Sequence, residues 1–118
     1  MALSYAPGDD LVFQMESGFG LLRVLGSEGG GREAVWHVLV YEEFYPDVES
    51  AEAALTSGSP LAAREPHIAL TEHAFEKTPA ARLTNRPVTD EELEPVLRWR
   101  HRGGPVHDRS LLLMLGMR

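Results

Sequence analysis

The residues of this chain whose types could do chemistry are five histidines, two clusters of charge and one glycine run. His37, His67, His73, His101 and His107 could ligate a metal or carry protons. None forms an HExxH, and no spacing places two on one helical face with a third ligand near. His67 and His73, six apart, would lie on the same side of a continuous strand but far from one another. They read as satisfied polar or surface histidines, and no metal is expected. His107-Asp108, Ser110 and the remote His37 could be assembled into a triad on paper, but no nucleophile elbow surrounds Ser110. The run Gly26 to Gly31 lacks both a following Lys-Ser/Thr and a GxGxxG pattern, so no nucleotide loop is indicated. With no catalytic motif, the chain reads as a non-enzyme without a cofactor.

Charge is more informative. Glu42, Glu43, Asp47, Glu49 and Glu52 form the densest acidic cluster. Paired carboxylates can do acid–base work only in unequal environments. These read either as solvated, helix-capping residues or as a docking patch for a basic protein. Arg98, Arg100, His101 and Arg102 form a small basic cluster. Its plain reading is stabilisation of a helix C-terminus. Its functional reading is a phosphate or nucleic-acid contact with Trp99 as a stacking surface. The formal net charge of −7 opposes that second reading. Residues 1–60 carry ten acids against Arg23 and Arg32, whereas residues 61–118 carry eight acids and nine bases. An acidic first half disfavours phosphate backbones and steers basic partners toward it.

The elements that must position these groups follow from patterning. At 118 residues, with 43% hydrophobic and 25% charged residues, the chain fits one domain spanning 1–118. There is no cysteine, which excludes disulfides and thiolate sites and suits a reducing compartment. The opening MALSYAPGDD has no basic region or apolar run, so no signal peptide is readable. Leu111 to Leu115 is far too short to span a bilayer. A cytoplasmic protein that does not engage membranes is expected.

The stretch Asp10 to Tyr45 reads as three strands with two Gly-rich connections. Residues 1–9 form a lead-in with a turn at Pro7-Gly8-Asp9. Leu11, Phe13 and Met15 alternate with Val12, Gln14 and Glu16 at the period of a half-buried strand, Ser17-Gly18 fits a tight hairpin, and Phe19 to Leu25 returns. Gly20 marks a bulge or a close backbone approach, and Gly26 to Arg32 reads as a flexible loop. From Ala34 to Tyr45, Val35, His37, Leu39 and Tyr41 share one face while Ala34, Trp36, Val38 and Val40 share the other. Both faces are largely apolar, as in a central strand covered on each side. Asp47 to Leu55 reads as a short helix with acids at its N-terminal end. Residues 61–66 are ambiguous and closed by Pro66. A strand is expected from His67 to about Phe75, although HAFEK could equally be a helical turn, and another strand covers Ala81 to Asn85. Thr89 to Glu92 fits a capping box, with Leu93, Val96, Leu97 and Trp99 following at helical spacing. Pro95 predicts one turn followed by a restart, and Gly103-Gly104-Pro105 a stop. The tail Asp108 to Met117 should be buried, as a last strand or a short helix.

Two blocks carry a resemblance. The first is Pro7-Gly8-Asp9 and Phe13, then Gly18-Phe19-Gly20 and Arg23-Val24-Leu25. The second is Leu83 to Trp99 (LTNRPVTDEELEPVLRW). Together they resemble the immunity protein 26 family, β-rich proteins proposed to neutralise polymorphic toxins. The chain departs from that pattern in its additional Asp10, in Gln14-Met15 where a proline-containing strand end is common, and in the missing tryptophan before the second block. The resemblance implies toxin neutralisation by binding and carries over no catalytic residue.

The fold expected is α+β: a strongly curved antiparallel sheet, SH3-like or a partly open barrel, with one or two short helices. The function expected is occlusion of a basic protein partner through Glu42, Glu43, Asp47, Glu49 and Glu52. The alternative is a small nucleic-acid-associated barrel using Arg98, Trp99, Arg100 and Arg102, with nucleic acid the less favoured partner. A homodimer would cover the edge that an open barrel leaves.

Overall fold

The computed structural model describes residues 4–116. Residues 1–3 of the lead-in, and Met117 at the end of the expected tail element, lie outside them. Five antiparallel strands form one sheet in the order β4-β3-β2-β1-β5, where β1 is Asp9–Met15, β2 is Gly18–Glu28, β3 is Val35–Tyr45, β4 is Ala63–Thr71 and β5 is Ala80–Asn85. Four helices accompany it: α1 (Val48–Thr56), α2 (Glu72–Glu76), α3 (Asp90–Arg102) and the single turn α4 (Leu111–Met114). The architecture is α+β, and the sheet is open, with β4 and β5 as its edges. No helix among the described residues is long and apolar enough to cross a membrane.

β3 behaves as its two apolar faces predict. Trp36, Val38 and Val40 pack into one core with Leu11, Phe13, Leu22, Leu70, Phe75 and Leu111. Leu39 and Tyr41 belong to a second core with Leu21, Leu25, Ala51, Leu55 and Val96. α2 and α4 therefore cover one face of the sheet, and α1 and α3 the other. Gly20 fulfils both of its expectations. The register shifts beside it, and a Cβ there would run into the ring of Phe13.

Several boundaries differ from the sequence reading. The hairpin turns on Glu16-Ser17, with Gly18 already paired to Met15. The stretch from Gly26 is not wholly a loop. β2 continues to Glu28 because a register shift between Val24 and Gly26 absorbs an extra residue, and a short 3₁₀ turn at Gly31–Glu33 follows. Pro66 does not close a segment but lies inside β4. There, Val38↔Ile68 and Val40↔Glu65 leave one extra residue in an edge strand, where a missing N–H is tolerated. Residues from Glu72 form the helical alternative, capped by Thr71, whose side chain accepts from the Ala74 amide. Pro95 does not split its segment, since α3 is one helix of 13 residues. The Thr89–Glu92 capping box anchors its start, and Gly103, at φ 64°, ends it in the left-handed conformation. The tail takes the helical option as α4.

Candidate functional site

Charged residues of β1, β2 and the start of α3 meet in the interior. Arg23 on β2 is 2% exposed. Its Nε donates to Glu92 at 2.7 Å, and its Nη atoms donate to the carbonyls of Gly8, Arg86 and Pro87 at 3.0, 3.0 and 2.9 Å. Asp10, fully buried, accepts from Arg23, from Thr84 at 2.9 Å and from Arg86 at 2.8 Å. Asp9, also fully buried, accepts from the Ala6 amide at 2.8 Å and from Asn85 at 2.8 Å. Burial pushes the Glu92 carboxyl up, but the hydrogen bonds from Arg23 and Thr89 outweigh it and the net shift is downward. This network ties the chain's first strands to the 85–92 segment and the start of α3. Two of the ten acids in the first half, and one of its two bases, are thereby internal and contribute little to surface charge.

The acidic cluster lies elsewhere. Between Gly20↔Phe44 and Leu22↔Val40, β3 advances four residues while β2 advances two. The two extra residues lie in the Tyr41–Glu43 stretch, where the register to β4 also shifts and the Glu42 amide donates to Ala62 at 2.9 Å. Such bulges re-aim side chains and bend the strand. Glu42, Glu43, Asp47, Glu49 and Glu52 are all exposed, and Phe44 between them is 44% exposed. Asp47 is the N-cap of α1: it accepts from the Ser50 amide at 2.7 Å, and hydrogen bonding to Ser50 holds its carboxyl below the usual range. Glu49 sits in the first turn, where the helix dipole favours an acid. Glu42, Glu43 and Glu52 have no such local role, and among the described residues none of them forms an ion pair.

The basic cluster is divided by its helix. Arg98 and Arg102, one turn apart on α3, line an open groove of about 570 Å³ together with Trp99, His67, Pro66 and Met114. Arg98 donates to Glu94 at 3.0 Å, while Arg102 is exposed and has no partner among the described residues. Arg100 instead reaches Glu28 at the end of β2, its Nε donating at 2.6 Å. Trp99 is only partly exposed. Its Nε1 donates to the Pro105 carbonyl at 2.8 Å, and its ring meets His37 edge-on at 4.8 Å between centroids. The four residues thus do not form one stacking surface.

A histidine pair that sequence spacing did not suggest stands behind that groove. His37 on β3 is 1% exposed and its Nδ1 lies 2.8 Å from Nε2 of His67 on β4, with the rings stacked at 5.0 Å. The signal was strand pairing: His37 is opposite Ala69, which places His67 on the neighbouring diagonal. Burial pushes His67 down to about 4, with His37 adding to the shift, and burial likewise lowers His37. The far nitrogen of His37, Nε2, is 3.6 Å from Glu28 and makes no hydrogen bond. Glu28 is itself held low by its hydrogen bond from Arg100. His73 and His101 are exposed, and His107 pairs with β4 through its backbone. Among the described residues no group of three or more His, Asp or Glu side chains could hold a metal. Ser110 caps α4, accepting from the Leu113 amide, and so has a structural occupation.

Compared with known protein families, curated proteins and solved structures, the chain shows no match.

Proposed function

We propose that this chain is a non-enzymatic binding protein of the immunity type, which occludes a basic partner, such as a toxin domain, through the surface of Glu42, Glu43, Asp47, Glu49 and Glu52. The observation that carries the reading is the β3 bulge. It turns Glu42 and Glu43 out of the sheet beside the exposed ring of Phe44, with no counter-charge among the described residues. An exposed large apolar side chain adjoining in sequence two exposed carboxylates that form no ion pair among the described residues has the composition of a protein contact: a desolvating centre with a charged rim that steers the partner. The resemblance to the immunity protein 26 family supports the same class, as does the net charge of −7. In this reading the protein is cytoplasmic. Its sheet, curled by bulges in β2, β3 and β4, is a partly open SH3-like barrel whose opening lies between β4 and β5.

Asp47 is unsuitable for reversal, because removing an N-cap weakens α1 whatever the partner does. The informative protein is E42K/E43K/E52K, in which every changed residue is exposed and free of intramolecular bonds through its side chain. In pull-downs from cells that encode a toxin beside this protein, the wild type should retain a basic partner. The triple variant should lose it by at least about tenfold, the effect of about 1.4 kcal/mol, with an unchanged melting temperature. Full retention by the variant contradicts the proposal.

A further inference from the structure

The groove between β4, α3 and α4 is separate from the acidic surface and has its own chemistry, which starts at the buried histidine pair. His37 is held neutral by burial, so its ring carries one proton. A lone pair on Nε2 aimed at the Glu28 carboxylate 3.6 Å away would be repelled, whereas an N–H there is attracted. The proton therefore sits on His37 Nε2, and Nδ1 carries the lone pair. The short contact between the rings then requires His67 Nε2–H to donate to His37 Nδ1. Since His67 is neutral too, its remaining nitrogen, Nδ1, is an acceptor. It has no protein partner among the described residues and is not among their buried unsatisfied atoms, so it is open to solvent on a residue that lines the groove. The chain Glu28–His37–His67 thus fixes the polarity of one wall of the groove.

The other walls supply what remains. Arg102 offers a guanidinium with no partner among the described residues, and Arg98 a second one shared with Glu94. Trp99, Pro66 and Met114 supply planar and apolar surface. The volume, about 570 Å³, suits a small group rather than a folded surface. An acceptor, a cation and an apolar wall lining one groove call for an N–H donor, an anion and an apolar body in one ligand. We propose that this groove binds an N-acyl α-amino carboxylate, the chemistry of a peptide C-terminus. In that arrangement the carboxylate lies on Arg102, the adjacent amide N–H donates to His67 Nδ1, and the last side chain rests on Trp99. Guanidinium–carboxylate geometry is the most specific part of this recognition.

The probes are an N-acetylated tetrapeptide ending in phenylalanine with a free carboxylate, the same peptide as its C-terminal amide, and phenyl phosphate. Binding is read by two-dimensional NMR of the whole chain, together with ring ¹⁵N shifts of the histidines. The free acid should shift the Trp99 indole N–H signal. The amide, and the exposed-site variant R102Q, should each weaken binding by about tenfold or more, as expected for loss of a charge-assisted hydrogen bond. Before ligand is added, the His67 ring should show an unprotonated Nδ1 and a protonated Nε2. Protonated Nδ1 in neutral His67, equal binding of acid and amide, or no shift at millimolar acid would each overturn the proposal. Tighter binding of phenyl phosphate than of the acid would overturn its carboxylate specificity and return the groove to a phosphate ligand. Thermal melts of R102Q confirm that any loss is not unfolding.

Discussion

At the scale of single residues, the most consequential side chain is Arg23. Buried ion pairs give little net stability, because desolvation offsets attraction, yet removing one partner strands the other. Arg23→Met should cost about 3–5 kcal/mol in urea unfolding, because three backbone carbonyls and Glu92 lose a donor and buried Asp10 keeps, among the described side chains, Thr84 and Arg86. Gly20→Ala should cost about 1–3 kcal/mol by the same measurement, since its Cβ collides with the Phe13 ring and the surrounding core cannot yield freely. The histidine pair makes a separate pH prediction. Burial lowers both His37 and His67 in the folded protein, His67 to about 4, against about 6.5 when unfolded. The unfolded chain therefore takes up protons first. The stability associated with the neutral pair is complete above about pH 6.5 and falls as pH drops toward about 4. Glu28 and Glu92 are held below the usual carboxylate range by their arginine partners, so their contribution is fully present above about pH 4.3, the ordinary glutamate value, and is lost only as pH falls below it. Between pH 7.5 and 5, wild type should lose about 1–2 kcal/mol more than His67→Gln; parallel pH curves would contradict the assignment. Gly20 was legible as a bulge or close approach, whereas Arg23 and the histidine pair were not. Arg23 read as one of two bases in an acidic half, and its partners at 86, 87 and 92 are more than sixty positions away.

At the scale of elements, local chemistry was legible and pairing was not. The Thr89–Glu92 capping box forms as its spacing predicts, and Thr89→Ala should lower stability by about 1 kcal/mol in thermal or urea unfolding. β3 was readable because both of its faces are apolar, and α1 because acids precede a short apolar stripe. The misread boundaries share one cause. Glycine at 26 and proline at 66 punctuate a sequence, but here each lies in a bulged strand whose partner supplies the missing order. Register shifts depend on what the opposing strand contributes, which no window of local sequence contains. Pro95 differs. Its helix is fixed at both ends by a capping box and a left-handed glycine, so the loss of one internal bond does not divide it.

At the scale of the whole molecule, the surface divides more sharply than the sequence suggested. Burial of Asp9, Asp10 and Arg23 removes charges from the first half that spacing alone had counted as surface. Pairing of Arg100 with Glu28 removes one cation from the basic cluster. What remains is an exposed acidic strand-end and helix, with Phe44 exposed at the strand-end, and, on another part of the fold, a groove with Arg98 and Arg102. The acidic cluster was legible in composition, but the β3 bulge beside it was not. The most direct measurement is an NMR titration of the whole chain with the basic partner retained by the wild type. Perturbations are expected to centre on residues 42–45 and 47–53 and to weaken as salt is raised. Perturbations centred on Arg98, Trp99 and Arg102, with residues 42–53 unaffected, would contradict the proposal.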